Sequence, residues 1–312
     1  MYKRYYKLQK NPFELTPDPS LLFTSKQHNE ALASLYYGVK QHKGFVVMTG
    51  EVGTGKTLLV SCLLQLLSKS QIAYAYVFNP RLDSLEFLRY IAGDFRLPVT
   101  GKTKSELLLE LSTFLIERYR HGYTTVLIVD EAHHLSTDVL EEVRLLSNLE
   151  TPHSKLLQIV LAGQPELDQK LDSPELRQLK QRIVLRSKLK SLDIDDALGY
   201  IHKRLELSGH KDPGHLFPIE TIAEIHKYSA GFPRLINILC ENALIQGFGM
   251  EAESISPAMI ADIAGDLGLT YAGAETELHD GRFEKEAHRS GVALESDKKA
   301  RSTSKPSERK PN

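Results

Sequence analysis

Cysteine is scarce in this chain: two residues, Cys62 and Cys240, among 312. Two cysteines this far apart build neither a disulfide framework nor a paired-cysteine zinc site. Both stand among apolar helical residues and read as small buried hydrophobes. An excess of either charge is also missing. Lys and Arg total 39, Asp and Glu total 40, and the formal net charge is −1. That balance argues against a protein whose main work is to coat nucleic acid or an anionic membrane, so nucleic acid is not an expected partner. No apolar run reaches the roughly 18 residues of a membrane-spanning helix, and no direct span is expected. The opening Met1-Tyr-Lys-Arg-Tyr-Tyr-Lys7 leads into no hydrophobic signal core. The expected location is cytoplasmic, in a reducing compartment.

What is present is ordinary globular material, 41% hydrophobic and 25% charged, at a length of about two domains. Residues 44–192 alternate short β-like runs with helical patterns. The runs are Gly44–Gly50, Ile72–Phe78, Thr125–Val129, Leu156–Leu161 and Ile183–Leu189. Several are almost continuously apolar, as in parallel strands buried on both faces. Between them Lys104–Arg120 carries Leu107, Leu108, Leu111, Phe114 and Leu115 on one helical stripe. The alternation predicts an α/β unit, a parallel sheet covered by helices in an αβα sandwich. Beyond Asp193 the β pattern stops. Helices are expected at Asp195–Ser208, Ile219–Ser229, Pro233–Phe248 and Ser256–Leu267, forming a small all-α domain. From Tyr271 to Asn312 there are nine Lys/Arg, eight Asp/Glu and four Leu/Val/Phe. Such a segment buries too little apolar area to offset its ordering entropy, and a disordered tail is expected. The expected units are 1–192, 193–270 and 271–312.

The strongest chemical signal is Gly50-Glu51-Val52-Gly53-Thr54-Gly55-Lys56-Thr57, followed by Leu58. It fits G-x-x-x-x-G-K-[ST] between a strand and a helix. Gly50, Gly53 and Gly55 permit backbone conformations that aim N–H groups at phosphate, and the helix N-terminus adds partial positive charge. Lys56 is expected on the β- and γ-phosphates of ATP, and the Thr57 hydroxyl on Mg²⁺. The second signal is the apolar strand Thr125–Val129 ending in Asp130 and Glu131. Two acids at the carboxyl end of a buried strand stand at the crevice where α/β sheets bind ligands. Asp130 is expected to hold Mg²⁺, and Glu131 to polarise the attacking water. His133 and His134 read as polar residues at the start of the next helix.

The P-loop, the Asp-Glu strand and Gly231-Phe-Pro-Arg234 in a helical lid together resemble the AAA+ ATPases. Further stretches resemble the ExeA/GspA group of secretion-associated ATPases within them: Asn11–Pro19 (NPFELTPDP), Leu145–Glu150 (LLSNLE), Ala162–Leu167 (AGQPEL), Leu176–Ile183 (LRQLKQRI) and Pro233–Cys240 (PRLINILC). The likeness runs over about residues 1–268. It implies an ATP- and Mg²⁺-dependent enzyme that forms homo-oligomers. Its implied partners are pilus or secretion assembly proteins at the inner membrane, where it is peripheral. It further implies that Gln164 occupies the sensor 1 position, and Arg234 the sensor 2 position from which a lid reports nucleotide state. Asn79 is implied to hold Glu131 off the water until a partner docks. Arg182, in preference to Arg177, is implied to reach a neighbouring subunit's nucleotide, and His28 and Glu30 to correspond to an adenine-side box. A DNA-directed AAA+ ATPase, a transposition or replication-initiator relative, is the rival reading. The balanced charge and the lack of a winged-helix-length segment after the lid speak against it.

Overall fold

The computed structural model describes residues 1–23, 25–68, 71–78, 80–152 and 154–270. The expected disordered tail, 271–312, lies outside them. Five parallel strands form one sheet: β1 (Phe45–Gly50), β2 (Ala73–Val77), β3 (Thr125–Val129), β4 (Leu157–Gly163) and β5 (Ile183–Leu189), in the order β2-β3-β4-β1-β5. The strand that leads into the P-loop, β1, is therefore an interior strand, flanked by β4 and β5. Every residue of β1, β3 and β4 is buried, which is why these runs read as continuous rather than alternating.

Alternate side chains feed two cores. Phe45 and Val47 face one, with Leu127, Ile159 and residues of the helices Ser84–Asp94, Lys104–Arg120 and Thr137–Leu146. Val46 and Met48 face the other, against the helices Lys26–Lys40 and Lys56–Ser68. Local chemistry sets the helix starts. Asp83 and Thr103 form capping boxes with Glu86 and Glu106, and Ser25, Ser136, Asp193 and Ser256 each accept a backbone N–H of the first turn.

The helices Ile194–Leu207, Pro213–Leu216, Ile219–Ser229, Pro233–Gly249 and Pro257–Asp266 enclose a third core. That core also contains Tyr6, Leu8 and Phe13. The expected first unit, 1–192, therefore does not begin with its own residues, because the opening segment packs into the lid. Phe13 meets the Phe217 ring edge-on at 5.9 Å, Tyr2 Oη donates to Glu241 Oε1 at 2.8 Å, and the Gln9 N–H donates to the Ser208 carbonyl at 2.7 Å. Both faces of the sheet are covered by helices, and the apolar side chains of the opening strap bury against the lid helices instead. Cys62 and Cys240 are both buried and unpaired, and burial pushes both thiols above their usual range.

Candidate nucleotide site

The end of β1 and the helix Lys56–Ser68 hold the glycine-rich loop between them. Gly53 and Gly55 take φ of 81° and 96°, the left-handed region that side chains disfavour. A methyl at Gly53 would also stand 2.8 Å from Arg234 Cβ. Lys56 is buried, and its Nζ donates to the Gly50 and Glu51 carbonyls at 2.7 and 2.8 Å. Burial lowers its pKa, and Glu131 and Asp130 partly restore it. The ammonium is thus held inside the loop it serves, on contacts it can exchange for phosphate oxygens.

Thr57 Oγ1 donates to Asp130 Oδ2 at 2.9 Å. Asp130 is buried, receives the Glu131 N–H on Oδ1 and the Tyr76 hydroxyl on Oδ2 at 3.4 Å, and has its pKa raised by that burial. A hydroxyl and a buried carboxylate side by side below the phosphate loop are the hard oxygen donors that suit Mg²⁺. The residues present fit Mg–ATP. Glu131 sits at φ 51°, a left-handed conformation that a non-glycine residue adopts at a cost of about 1–2 kcal/mol. The kink turns its carboxylate away from the strand axis and into the cleft.

Gln164, just after β4, brings Nε2 to 3.4 Å from Glu131 Oε2. It stands beside Glu131. His133 departs from expectation. It lies in a 3₁₀ turn, Ala132–His134, and the next helix starts only at Thr137 under the Ser136 cap. The His133 ring is buried, its Nδ1 accepts the Gln164 backbone N–H at 3.3 Å, and burial lowers its pKa. The same Nδ1 lies 3.3 Å from Glu131 Oε2. Lys170 Nζ donates to the His133 and Leu135 carbonyls and pins the turn from behind. Glu131, His133 and His134 bring ligand atoms within 4.8 Å of one another, but Nδ1 of the central ring is already engaged.

The lid closes the cleft from the far side. Arg234 opens the helix Pro233–Gly249, and its N–H donates to the Gly53 carbonyl at 3.3 Å. The cleft, about 350 Å³, is bounded by the P-loop, by Glu131, by residues 14–18 of the opening strap, and by Tyr200, Arg204 and Asn237 of the lid. The strap and the three lid residues are contributions that the motifs do not mark. His28 faces elsewhere: its Nε2 donates to the Thr54 carbonyl at 3.0 Å, and its ring lies 3.3 Å from where a Gly55 methyl would be. It braces the back of the loop instead of lining the adenine side, and Glu30 is exposed. Arg182 is half-buried, with Nη1 on Ser147 Oγ at 2.5 Å in its own chain. Arg177 is exposed, and its side chain makes no hydrogen bond or ion pair among the described residues. Asn79 lies outside those residues.

This is the fold of an AAA domain. The family model described as AAA domain matches residues 39–171. The chain is 42% identical over 270 residues to General secretion pathway protein A of Aeromonas hydrophila, covering 86% of this chain and 48% of that protein. It thus spans about half the length of that relative. Among solved structures, the Aeropyrum pernix ORC2 protein in its ADPNP–ADP complexes superposes with a TM-score of 0.63 at 17% identity, over 82% of this chain and 71% of that one. The Thermotoga maritima RuvB Holliday junction branch migration motor gives 0.54 at 16% identity, over 81% and 74%. At these identities the structures speak for the fold alone. No helix among the described residues is long and apolar enough to cross a membrane.

Proposed function

We propose that this chain binds Mg–ATP in the cleft, hydrolyses it, and uses the resulting lid motion to drive assembly of an envelope apparatus. That apparatus is a type II secretion or type IV pilus machine, and the specific likeness is to MshM, the ATPase of MSHA pilus biogenesis. The observation that carries the enzymatic part is the convergence of Lys56, Thr57, Asp130 and Glu131 on one cleft that Arg234 closes. Bound Mg²⁺ would neutralise charge on the β- and γ-phosphate oxygens. Thr57 and Asp130 hold it, Lys56 exchanges two loop carbonyls for phosphate, and Glu131 takes the proton of the attacking water. Gln164 fixes the carboxylate that does so. Arg234 ties the lid to the P-loop, so loss of the γ-phosphate is felt as lid movement.

Among the described residues that line the cleft, the arginines are Arg204 and Arg234, both of the lid. A neighbouring copy of the chain supplies a further one, and Arg177, exposed and unengaged, is better placed than Arg182 to do so. The secretion reading rests on the similarity to General secretion pathway protein A, and a peripheral position at the inner membrane is part of the same proposal. The DNA-directed reading has only shared fold behind it.

Titration of ATP and phosphate-release assays on the purified chain test the enzymatic part. Lys56→Ala should abolish tight ATP binding. Glu131→Gln should bind ATP normally and lose turnover by about 10²-fold or more. Normal turnover in Glu131→Gln removes the proposed base. The same variant, trapped with ATP, should pull pilus or secretion assembly components from cells, and their absence would retire the apparatus.

A further inference from the structure

Three buried lid residues at the edge of the cleft form a directed chain of hydrogen bonds. Arg204 Nη1 donates to Tyr200 Oη at 2.7 Å, and Tyr200 Oη bonds Asn237 Oδ1 at 2.8 Å. Arg204, Tyr200 and Asn237 are 4%, 6% and 7% exposed. The direction of this chain is fixed by chemistry. A guanidinium has only donors, so the tyrosine oxygen must accept from it. The single tyrosine proton must then go to the next residue, which must present an acceptor. Asn237 therefore points its carbonyl oxygen at Tyr200, and its NH₂ group takes the opposite end.

That NH₂ makes no hydrogen bond among the described residues, and Asn237 lines the cleft. Arg204 is anchored in turn, by Nε on the Pro12 carbonyl and Nη2 on the Glu14 carbonyl at 3.4 Å. Its guanidinium also lies over the Tyr200 ring, 5.3 Å from the centroid. The amide cannot flip without leaving the tyrosine proton facing another donor. This is a preorganised donor, held by a buried guanidinium that makes its hydrogen bonds to backbone carbonyls and to Tyr200.

Asn237 stands three residues beyond Arg234 on one helix, about 5 Å further along its axis. Arg234 meets the P-loop, where the phosphates go. Asn237 and residues 14–18 of the strap line the same cleft as the phosphate loop, and the part of it beyond that loop is the space left for a nucleoside.

We propose that Asn237 is a specificity-determining residue that donates a hydrogen bond from Nδ2 to an acceptor atom of the bound nucleoside, a purine ring nitrogen or a ribose hydroxyl, with Tyr200 and Arg204 as its positioning residues. The proposal rests on the nucleotide-binding reading above. It adds that part of the selection of the nucleoside resides in the lid, fixed by a relay anchored in the strap.

The test is a binding panel on the full chain: ATP, 1-deaza-ATP, 3-deaza-ATP, 7-deaza-ATP, 2′-deoxy-ATP, 3′-deoxy-ATP and inorganic tripolyphosphate. Asn237→Ala should weaken ATP about five- to tenfold, the scale of one hydrogen bond. That loss should vanish for the one analogue lacking the recognised acceptor and be absent for tripolyphosphate. The vanishing analogue separates base from ribose. Asn237→Asp keeps the shape and the bond from Tyr200 but replaces the donor, and should show the same pattern with a larger loss. Tyr200→Phe should show it weakly, since the amide is then free to turn. A loss equal across all analogues, a loss shared by tripolyphosphate, or no loss in Asn237→Asp overturns the inference. If wild-type protein binds ATP no better than Lys56→Ala, the nucleotide-binding reading itself has failed instead.

Discussion

Thr57 and Asp130, separated by 73 residues, share a 2.9 Å hydrogen bond that joins the start of the P-loop helix to the end of β3. The bond keeps a buried carboxylate beside a buried lysine without a direct ion pair between them. It sets the spacing that a divalent ion would fill, and it holds charge where solvation is poor.

That arrangement sets function against stability. Burial raises the Asp130 pKa, so its folded value lies above its unfolded one. The stability it contributes is present below the unfolded carboxylate range and is lost as pH rises through the folded value. At neutral pH the ionised group is therefore a cost. Asp130→Asn should raise the melting temperature of the nucleotide-free protein at pH 7 by about 2 °C or more, and the gain should shrink toward pH 4. The same variant should lose the Mg²⁺ dependence of ATP binding. Differential scanning calorimetry across pH and titrations with and without Mg²⁺ check both halves; a fall in melting temperature at pH 7 would contradict the argument.

His28 gives an acid-side signature. Burial lowers its pKa even though the bond to the Thr54 carbonyl works in the opposite direction. The unfolded chain, with an imidazole near 6.5, takes up the proton first. Stability is full above that value and is lost as pH falls from it toward the folded value. His28→Gln keeps a donor near Thr54 and should flatten the decline in melting temperature between about pH 6.5 and 5, while lowering stability at pH 7.5. An unchanged slope would show that His28 does not titrate across this range.

Arg177 should matter only between copies. An arginine supplied in trans contributes about 10³-fold or more in related phosphoryl transfers. Wild-type specific ATPase activity should rise with protein concentration, and Arg177→Ala should keep ATP affinity and lose the rise. Arg182→Ala should instead loosen the Ser147 contact and lower stability within one chain. Flat wild-type activity from dilute to concentrated protein, with no larger species by light scattering, would sink the trans mechanism.

Gly231 tests the hinge. Its φ is 75°, and a methyl there would fall 2.0 Å from the Leu192 carbonyl oxygen, while Leu192 N–H donates to the Gly231 carbonyl at 2.9 Å. Gly231→Ala must separate the segment entering the lid from the one that reaches Arg234. A loss of roughly 3 kcal/mol or more is expected from the combined strain and clash, read by chemical denaturation. A loss below 1 kcal/mol would mean that the hinge yields freely.

Much of this was legible before any coordinates. The strands showed because burial on both faces makes them continuously apolar, and the helix starts because Asp, Thr and Ser caps are local signals. The P-loop and the Asp130–Glu131 pair showed because phosphate and metal chemistry restrict residue type at fixed spacing. Arg204 and Asn237 were not singled out, although the sequence carried a signal for them. The stripe Ala197, Tyr200, Ile201, Arg204, Leu205 puts an arginine on a core face, and Ile236, Asn237, Leu239, Cys240 does the same with an amide. A polar group on a buried stripe demands a partner. Which partner could not be read, since it lies in the strap about 190 residues away. His133 was misread because a 3₁₀ turn intervenes before the helix, and single-turn geometry leaves little periodic trace.

The strap carries one more consequence. Asn11 bonds Glu241 across 230 residues, and the strap's apolar side chains have their core only in the lid. The chain emerges strap first, yet the surface it completes is made last. Until the helix Pro233–Gly249 leaves the ribosome, Tyr6, Leu8 and Phe13 have nowhere to bury, and the nucleotide cleft lacks one wall. The order of synthesis thus keeps the site unfinished until the lid exists, and completing it requires closing a loop across those 230 residues.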